Sequence, residues 1–301
     1  MTVKPRSVSL ELSALRSLNT RMDLSAEDKK HYVNLEKGYQ GEVMFDQLTV
    51  KLHNGMLVIN DLCLEFNNTI FQIDTLIISQ YTIYLFEVKN YDGDFYYESD
   101  SFKTLSEKEI LNPLDQLKRC KILLQQLLRS LGFQLPIEGY VVFINPKFTL
   151  YQAPLKAPII FPTQLYRFMN TLNQKPSKLT DLHRKMADQL ISIHKIISPY
   201  TKLPTYEYEQ LVKGLICSEC YSFMIYDGER KVICEKCGCH EVADSAILRS
   251  IEEIKILFPN KKITTDCVFN WCKEIDSKKK IRRILKENYK MVGYGKWGYF
   301  E

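Results

Sequence analysis

The chain has 301 residues, 45% of them hydrophobic and 26% charged, with a formal net charge of +5. That length predicts two or three domains rather than one core, and the composition excludes a disordered chain. No apolar run reaches the roughly 18 residues of a membrane span, and Glu11 and Arg16 interrupt the N-terminal apolar stretch, so neither a membrane helix nor a secretory signal is expected.

Residues 7–22 read as a short helix. Ser25-Ala26-Glu27-Asp28 supplies an N-cap and first-turn acids for a second helix reaching about Lys51, with Gly38 as a point where it could break. The β-branched and aromatic runs 71–78 and 82–89 are strands. A Leu-rich helix spans Pro113 to Leu131, and Gly139–Ile144 is a buried strand ended by Asn145-Pro146. Residues 157–161 suggest a short edge strand, and helices follow near 162–173 and 178–197. Together these elements predict an α/β (α+β) domain over 1–197, with an N-terminal helical extension. A linker at 198–213, a cysteine unit at 214–242 and a helical unit at 243–301 complete the expected organisation.

The two central strands form a hairpin if Gln80-Tyr81 is a two-residue loop. Asp74 then falls opposite Glu87, and Lys89 joins Glu87 on the same face. Two adjacent carboxylates repel, and a divalent cation between them removes that penalty. A slip of one residue would instead separate the acids. An ion pair between Asp74 and Lys89, with Glu87 as a bystander, is the plain structural alternative. Mg²⁺ or Mn²⁺ held by such oxygens suits phosphodiester hydrolysis, with a lysine offsetting charge on phosphorus. Asp46, four residues after Glu42, shares its helix face and reads as a solvated acid. Asp92, Asp94 and Asp100 read as loop acids.

Gly41-Glu42, Ile73-Asp74, Phe86-Glu87-Val88-Lys89-Asn90 and Asn112-Pro113-Leu114-Asp115-Gln116 occur in that order. Over roughly residues 35–150 they resemble the nuclease-related domain (NERD), a branch of the PD-(D/E)xK nuclease superfamily. The resemblance implies a restriction-endonuclease-like core, a mixed sheet flanked by helices. It also implies Asp74 and Glu87 as metal ligands, Lys89 as the catalytic lysine, Glu42 as ligand or base, and Gln116 beside the site. Thr75 departs from the pattern, because many relatives carry His there.

Cys217-x-x-Cys220 and Cys234-x-x-Cys237 flank an Asp227-Gly228 hairpin signal, and Gly238 follows the second pair. Four thiolates brought together at one end bind Zn²⁺ structurally, with no open coordination position, and the unit resembles a zinc ribbon. Cys239 and His240 are expected outside that site. The unpaired-cysteine usage favours a reducing, cytoplasmic setting.

From Lys273 to Glu301 there are nine Lys/Arg against four Asp/Glu, an excess equal to the whole net charge. Helices are expected over 244–258, from Thr265 through Trp271 and Ile275, and over 278–286, before a hairpin at 289–300. This looks like a winged helix with Lys278, Lys279, Lys280, Arg282, Arg283 and Lys296 as phosphate contacts. A solvated helix face or a protein-docking unit is the competing reading. Trp271 and Trp297 read as packing residues. The leading expectation is therefore a metal-dependent endonuclease (a hydrolase) acting on DNA, with RNA open as substrate. The alternative is an inactive DNA-binding or adaptor protein on a nuclease fold. Specificity, self-association and any partner protein, in a defence system or elsewhere, are not legible in the sequence.

Overall fold

The computed structural model describes residues 1–195 and 201–301, apart from the Lys296 side chain. It opens with β1 (Thr2–Lys4), α1 (Leu10–Arg21) and α2 (Ala26–Thr49), and α2 runs through Gly38 without a break. Strands β2 (Leu57–Phe66), β3 (Thr69–Ile78) and β4 (Ile83–Lys89) follow. Next come β5 (Gly93–Glu98), β6 (Ser101–Thr104), β7 (Glu109–Ile110), α3 (Pro113–Ser130), β8 (Ile137–Phe143), β9 (Phe148–Tyr151) and β10 (Ile159–Ile160). Helices α4 (Leu165–Gln174) and α5 (Asp181–Ser192) precede the cysteine region, with β11 (Ile225–Tyr226), β12 (Lys231–Ile233) and β13 (His240–Val242). Helices α6 (Ala243–Leu257), α7 (Thr265–Cys272) and α8 (Lys278–Asn288) and strands β14 (Met291–Val292) and β15 (Tyr299–Phe300) end the chain.

Contacts divide the chain into two compact units. Unit 1 comprises Met1–Ser7 and Leu35–Pro199, and unit 2 comprises Val8–Asn34 and Tyr200–Glu301. The boundary differs from the expected single domain over 1–197, because α1 belongs with the C-terminal helices. Its Ala14 and Leu18 lie in one core with Ile247, Ile251, Val268 and Trp271. The expected linker begins at Ser198-Pro199-Tyr200, which lies outside the described residues.

Unit 1 is a mixed α/β unit. Its six-stranded sheet has the order β1-β2-β3-β4-β8-β10, parallel at β1/β2, β4/β8 and β8/β10 and antiparallel between. Its strands bury both faces, so their sequences are nearly continuous apolar runs. One face packs against α3 and α5 through Leu117, Leu124, Leu128, Met186 and Leu190. The opposite face packs Val58, Ile77, Tyr84 and Phe86 against Phe45 of α2 and Met169 and Leu172 of α4. A second sheet, β7-β6-β5-β9, contains Asp94, which was expected in a loop. Asp100 stays in the β5–β6 turn, at φ +61°.

The central hairpin has the expected register. Thr75 pairs with Phe86 and Ile78 with Ile83, and Ser79 N–H donates to the Thr82 carbonyl across Gln80-Tyr81. The ladder ends at Thr75, however, so Asp74 and Glu87 are not a ladder pair. Ile73 and Leu76 lie in the same core, as do Ile59 and Leu62 of the neighbouring strand. Alternation thus slips by one residue at Asp74 and at Asp61, and Asp61 takes up the change at φ +54°. This local break frees the Asp74 side chain from the regular face pattern.

In unit 2, Cys217, Met224, Val232 and Cys234 share a core with α6, α7 and α8. The loop between β11 and β12 is longer than a tight Asp-Gly turn. Asp227 carboxylate accepts the N–H groups of Glu229, Arg230 and Lys231, which stabilises the wider loop. Helix α7 stops at Cys272, short of the expected Ile275. Three helices and the terminal β14–β15 hairpin are present in the expected order.

Candidate active site

Helix α2 brings Glu42 to the sheet because Gly41 permits a close approach. A Cβ on Gly41 would lie 2.5 Å from Asn90 Cβ and 3.2 Å from Ile144 Cγ2. Asn90, directly after Lys89, donates to the Lys37 carbonyl of α2 at 2.7 Å and accepts from Asn145. The glycine-glutamate and lysine-asparagine pairs seen in the sequence are therefore two halves of one helix-to-strand contact.

Asp74 is buried, and its Oδ2 accepts the Val88 N–H at 2.7 Å. The carboxylate thus takes a backbone donor of β4 where the ladder has ended. Burial holds the Asp74 carboxyl well above its ordinary range, reinforced by Glu87 and Glu42 and opposed by Lys89 and the Val88 N–H. Glu87 and Lys89 lie on one face of β4 and pair at 2.7 Å. Lys89 therefore pairs with Glu87 and not with Asp74, contrary to the plain ion-pair expectation. Burial alone would lower the Lys89 pKa, but Glu87 and Asp74 raise it to about 12, so the ammonium stays charged.

Glu42 is pushed up to about 7, first by burial, with Arg6 opposing and Asp61, Asp46 and Glu87 adding to the rise. Its Oε2 accepts from Arg6 Nη1 at 2.5 Å. Asp46 is not the solvated acid expected. Its side chain is only 17% exposed and takes a two-pronged bond from Arg6, at 2.9 and 3.1 Å. Arg6 also donates to the Asp74 carbonyl at 2.7 Å and to Thr75 Oγ1 at 3.3 Å. Thr75, the departure from the pattern, thus holds Arg6. Arg6 carried no signal in the sequence, standing 36 residues from Glu42 in an unpatterned N-terminus.

Gln116 lies one turn before Cys120 on α3, hence on the same helix face. Cys120 thiol is raised mainly by burial and also by the charges of Glu87 and Asp74. Gln116 Oε1 is buried and has no hydrogen-bond partner among the described residues. The helix starts there because Asn112 caps it and Pro113 occupies its first position.

These acids sit where the comparisons find a relationship. Residues 37–144 match the family model of the nuclease-related domain. The match lies within unit 1 and contains Glu42, Asp74, Glu87, Lys89 and Gln116. No curated protein and no solved structure gives a significant match. The matched residues carry the C-terminal half of α2, strands β2, β3, β4 and β8 of the mixed sheet, and α3.

Outside the matched residues, the Sγ atoms of Cys217, Cys220, Cys234 and Cys237 all lie within 4.8 Å of one another. Cys217 and Cys237 are 3.7 Å apart and Cys220 and Cys234 3.4 Å. This is the set of three or more closely gathered ligand atoms found among the described residues; the carboxylates of Glu42, Asp74 and Glu87 do not converge so tightly. Gly238 turns the chain at φ +74°, and Cys239 and His240 stay outside the set. A four-thiolate set fits structural Zn²⁺. Metal analysis of purified protein should give one zinc per chain, falling to none in Cys220→Ser; a zinc-free wild type would reject this assignment.

The basic residues of α8 divide into two groups. Lys278 pairs with Asp266, Arg283 with Asp244 and Glu287, and Lys280 Nζ donates to Tyr226 Oη, with Asp244 at 3.9 Å. Lys279 and Arg282 are exposed and form no ion pair among the described residues, as is Lys286, which was not among the expected contacts. These three fall on one helix stripe. The Lys296 side chain lies outside the described residues. Trp271 is fully buried as expected, but Trp297 is 77% exposed, because its short hairpin is held to the core chiefly through Phe300.

No helix among the described residues is long and apolar enough to cross a membrane.

Proposed function

We propose that the chain is a divalent-metal-dependent endonuclease that hydrolyses DNA phosphodiester bonds, using Asp74, Glu87, Glu42, Lys89 and Gln116. The observation that carries this reading is the buried Asp74 carboxylate, pinned on the β4 backbone beside the Glu87–Lys89 pair inside a matched nuclease-related domain. The donor set suits Mg²⁺ or Mn²⁺, because it is all oxygen and anionic. Asp74, Glu87 and Glu42 would hold the ion. When bound, it supplies Lewis-acid polarisation of the phosphate and a more acidic water.

The chain's own groups do the rest. Lys89 remains charged and offsets negative charge developing on the phosphate oxygens. Glu42, on α2 beside these acids, serves as ligand or as proton acceptor. Gln116 offers an acceptor that orients a water. Unit 2 supplies the nucleic-acid hold as a winged-helix-like domain behind a zinc ribbon, through Lys279, Arg282 and Lys286. The cytoplasmic setting is supported by nine unbridged cysteines. Supercoiled plasmid incubated with wild type in Mg²⁺ should be nicked, and EDTA should stop it. Failure to cut any DNA or RNA would favour the adaptor reading.

The raised acids give a pH dependence of definite sign. Between the ordinary glutamate value of 4.5 and about 7, folded Glu42 holds a proton that the unfolded chain has lost. The metal-free protein therefore loses stability as pH rises through that window. Metal binding needs the ionised acids, so it strengthens over the same range. Thermal melts should show little Mg²⁺ stabilisation at about pH 5 and clear stabilisation at about pH 8. Equal stabilisation at both would contradict the assignment.

For the α8 stripe, Lys279→Glu with Arg282→Glu should weaken DNA affinity at least tenfold. The slope of log affinity against log salt should fall by about two contacts' worth. Fluorescence anisotropy across a salt series measures both. An unchanged slope would remove α8 from the interface.

A further inference from the structure

Arg6 is enclosed by five oxygens: Glu42 Oε2, both Asp46 carboxylate oxygens, the Asp74 carbonyl and Thr75 Oγ1, at 2.5 to 3.3 Å. The five oxygens face three different nitrogens of one cation, and oxygen donors that include two carboxylates are also what a hard divalent cation takes. Glu42 and Asp46 are one helical turn apart and converge on the guanidinium, whose side chain is only 3% exposed. Strand β1 delivers it. β1 pairs in parallel with the edge of β2, Thr2 opposite Val58 and Lys4 opposite Ile59. Lys4 Nζ is anchored on the Asn60 and Asp61 carbonyls. The charge balance points the same way. When all four are ionised, Glu42, Asp46, Asp74 and Glu87 set four negative charges against Arg6 and Lys89, leaving a surplus of two, the charge of one divalent ion.

We propose that Arg6 is a built-in cation standing where a second metal ion would otherwise sit, so that the site takes one divalent ion per chain and not two. The proposal rests on the nuclease reading of the same acids. Arg6 is a positioning residue in this scheme. It fixes Glu42 and Asp46 away from a second ion and steadies the Asp74 backbone, leaving Asp74 and Glu87 as the principal ligands. The fork suits this role better than an ammonium, because it binds Asp46 through two parallel bonds and still reaches Glu42.

The test counts Mn²⁺ bound to the full, zinc-loaded chain, by the electron paramagnetic resonance signal of free Mn²⁺. Zinc content is measured in parallel. Wild type should bind one Mn²⁺. Arg6→Met, which removes the charge and keeps the bulk, should bind two, while Arg6→Lys should stay at one. If Arg6→Met does not fold, Arg6→Gln serves in its place. Two ions on wild type, or one on a folded Arg6→Met or Arg6→Gln, would overturn the proposal. No Mn²⁺ on wild type would remove the nuclease reading itself and this proposal with it, an outcome distinct from either.

Discussion

Lys89→Met should reduce plasmid cleavage by roughly 10³-fold while leaving Mn²⁺ bound. The size follows from removing one preorganised charge aimed at the transition state. Lys89 is held for that task by its 2.7 Å pairing with Glu87 and by the adjacent Asn90, which ties the end of β4 to α2. In the metal-free protein Glu87 and Asp74 hold the Lys89 pKa at about 12, and its proposed role is that of a cation and not of a base. The loss should therefore persist across pH instead of being rescued in alkali. Removing a positive charge next to the metal ligands should leave ion affinity equal or slightly higher. Single-turnover cleavage and Mn²⁺ titration separate the two effects. Cleavage at the wild-type rate would exclude Lys89 from the chemistry, and loss of Mn²⁺ binding would make its role structural.

Arg21→Met should cost unit 2 about 3–5 kcal/mol, the usual result of breaking one side of a buried ion pair. Arg21 is fully buried and forms two bonds to Glu253, at 2.8 and 2.7 Å. It also donates to the Val212 and Gly214 carbonyls and lies 4.2 Å over the Trp271 ring. Trp271 Nε1 donates to the same Glu253 carboxylate. Deleting the guanidinium strands a carboxylate that is only 11% exposed, and two carbonyls, at once. The melting midpoint of this unit should fall by on the order of 10 °C. The double variant Arg21→Met/Glu253→Met should be less unstable than the two single losses added together. Simple additivity would mean that the pair does not act as one unit.

The legible part of the fold is the part encoded locally. The β3–β4 hairpin shows itself through β-branched and aromatic residues on both sides of a short loop, and its register follows from the loop length. The four cysteines show themselves through spacing. Helix α3 is announced by Asn112-Pro113 before a Leu-rich run. Arg6 is the opposite case. Its role depends on a three-residue parallel strand meeting an edge more than fifty residues away, and no local pattern encodes such a pairing. The four-residue spacing puts Asp46 on the helix face of Glu42, but its bonds to Arg6 depend on a distant strand and carry no local signal. The Asp74 position is similar. Alternation predicts a carboxylate directly opposite Glu87, whereas a slip at Asp61 and Asp74 turns the carboxylate onto the Val88 N–H. Helix α1 is readable as a helix, but its apolar stripe does not say which core it joins. The strands after Asp92 were hidden by their acids, which leave only short stretches of alternation.

The central claim is that Asp74, Glu87 and Glu42 hold a divalent cation within the residues that match the nuclease-related domain. Anomalous diffraction from crystals of the full chain soaked in Mn²⁺ tests it most directly. The expected result is one manganese peak ligated by Asp74 and Glu87 with Glu42 beside it, lost in Asp74→Asn, with zinc separately on the four cysteines. A wild-type crystal with no manganese at those carboxylates, at concentrations that support nicking, would contradict it.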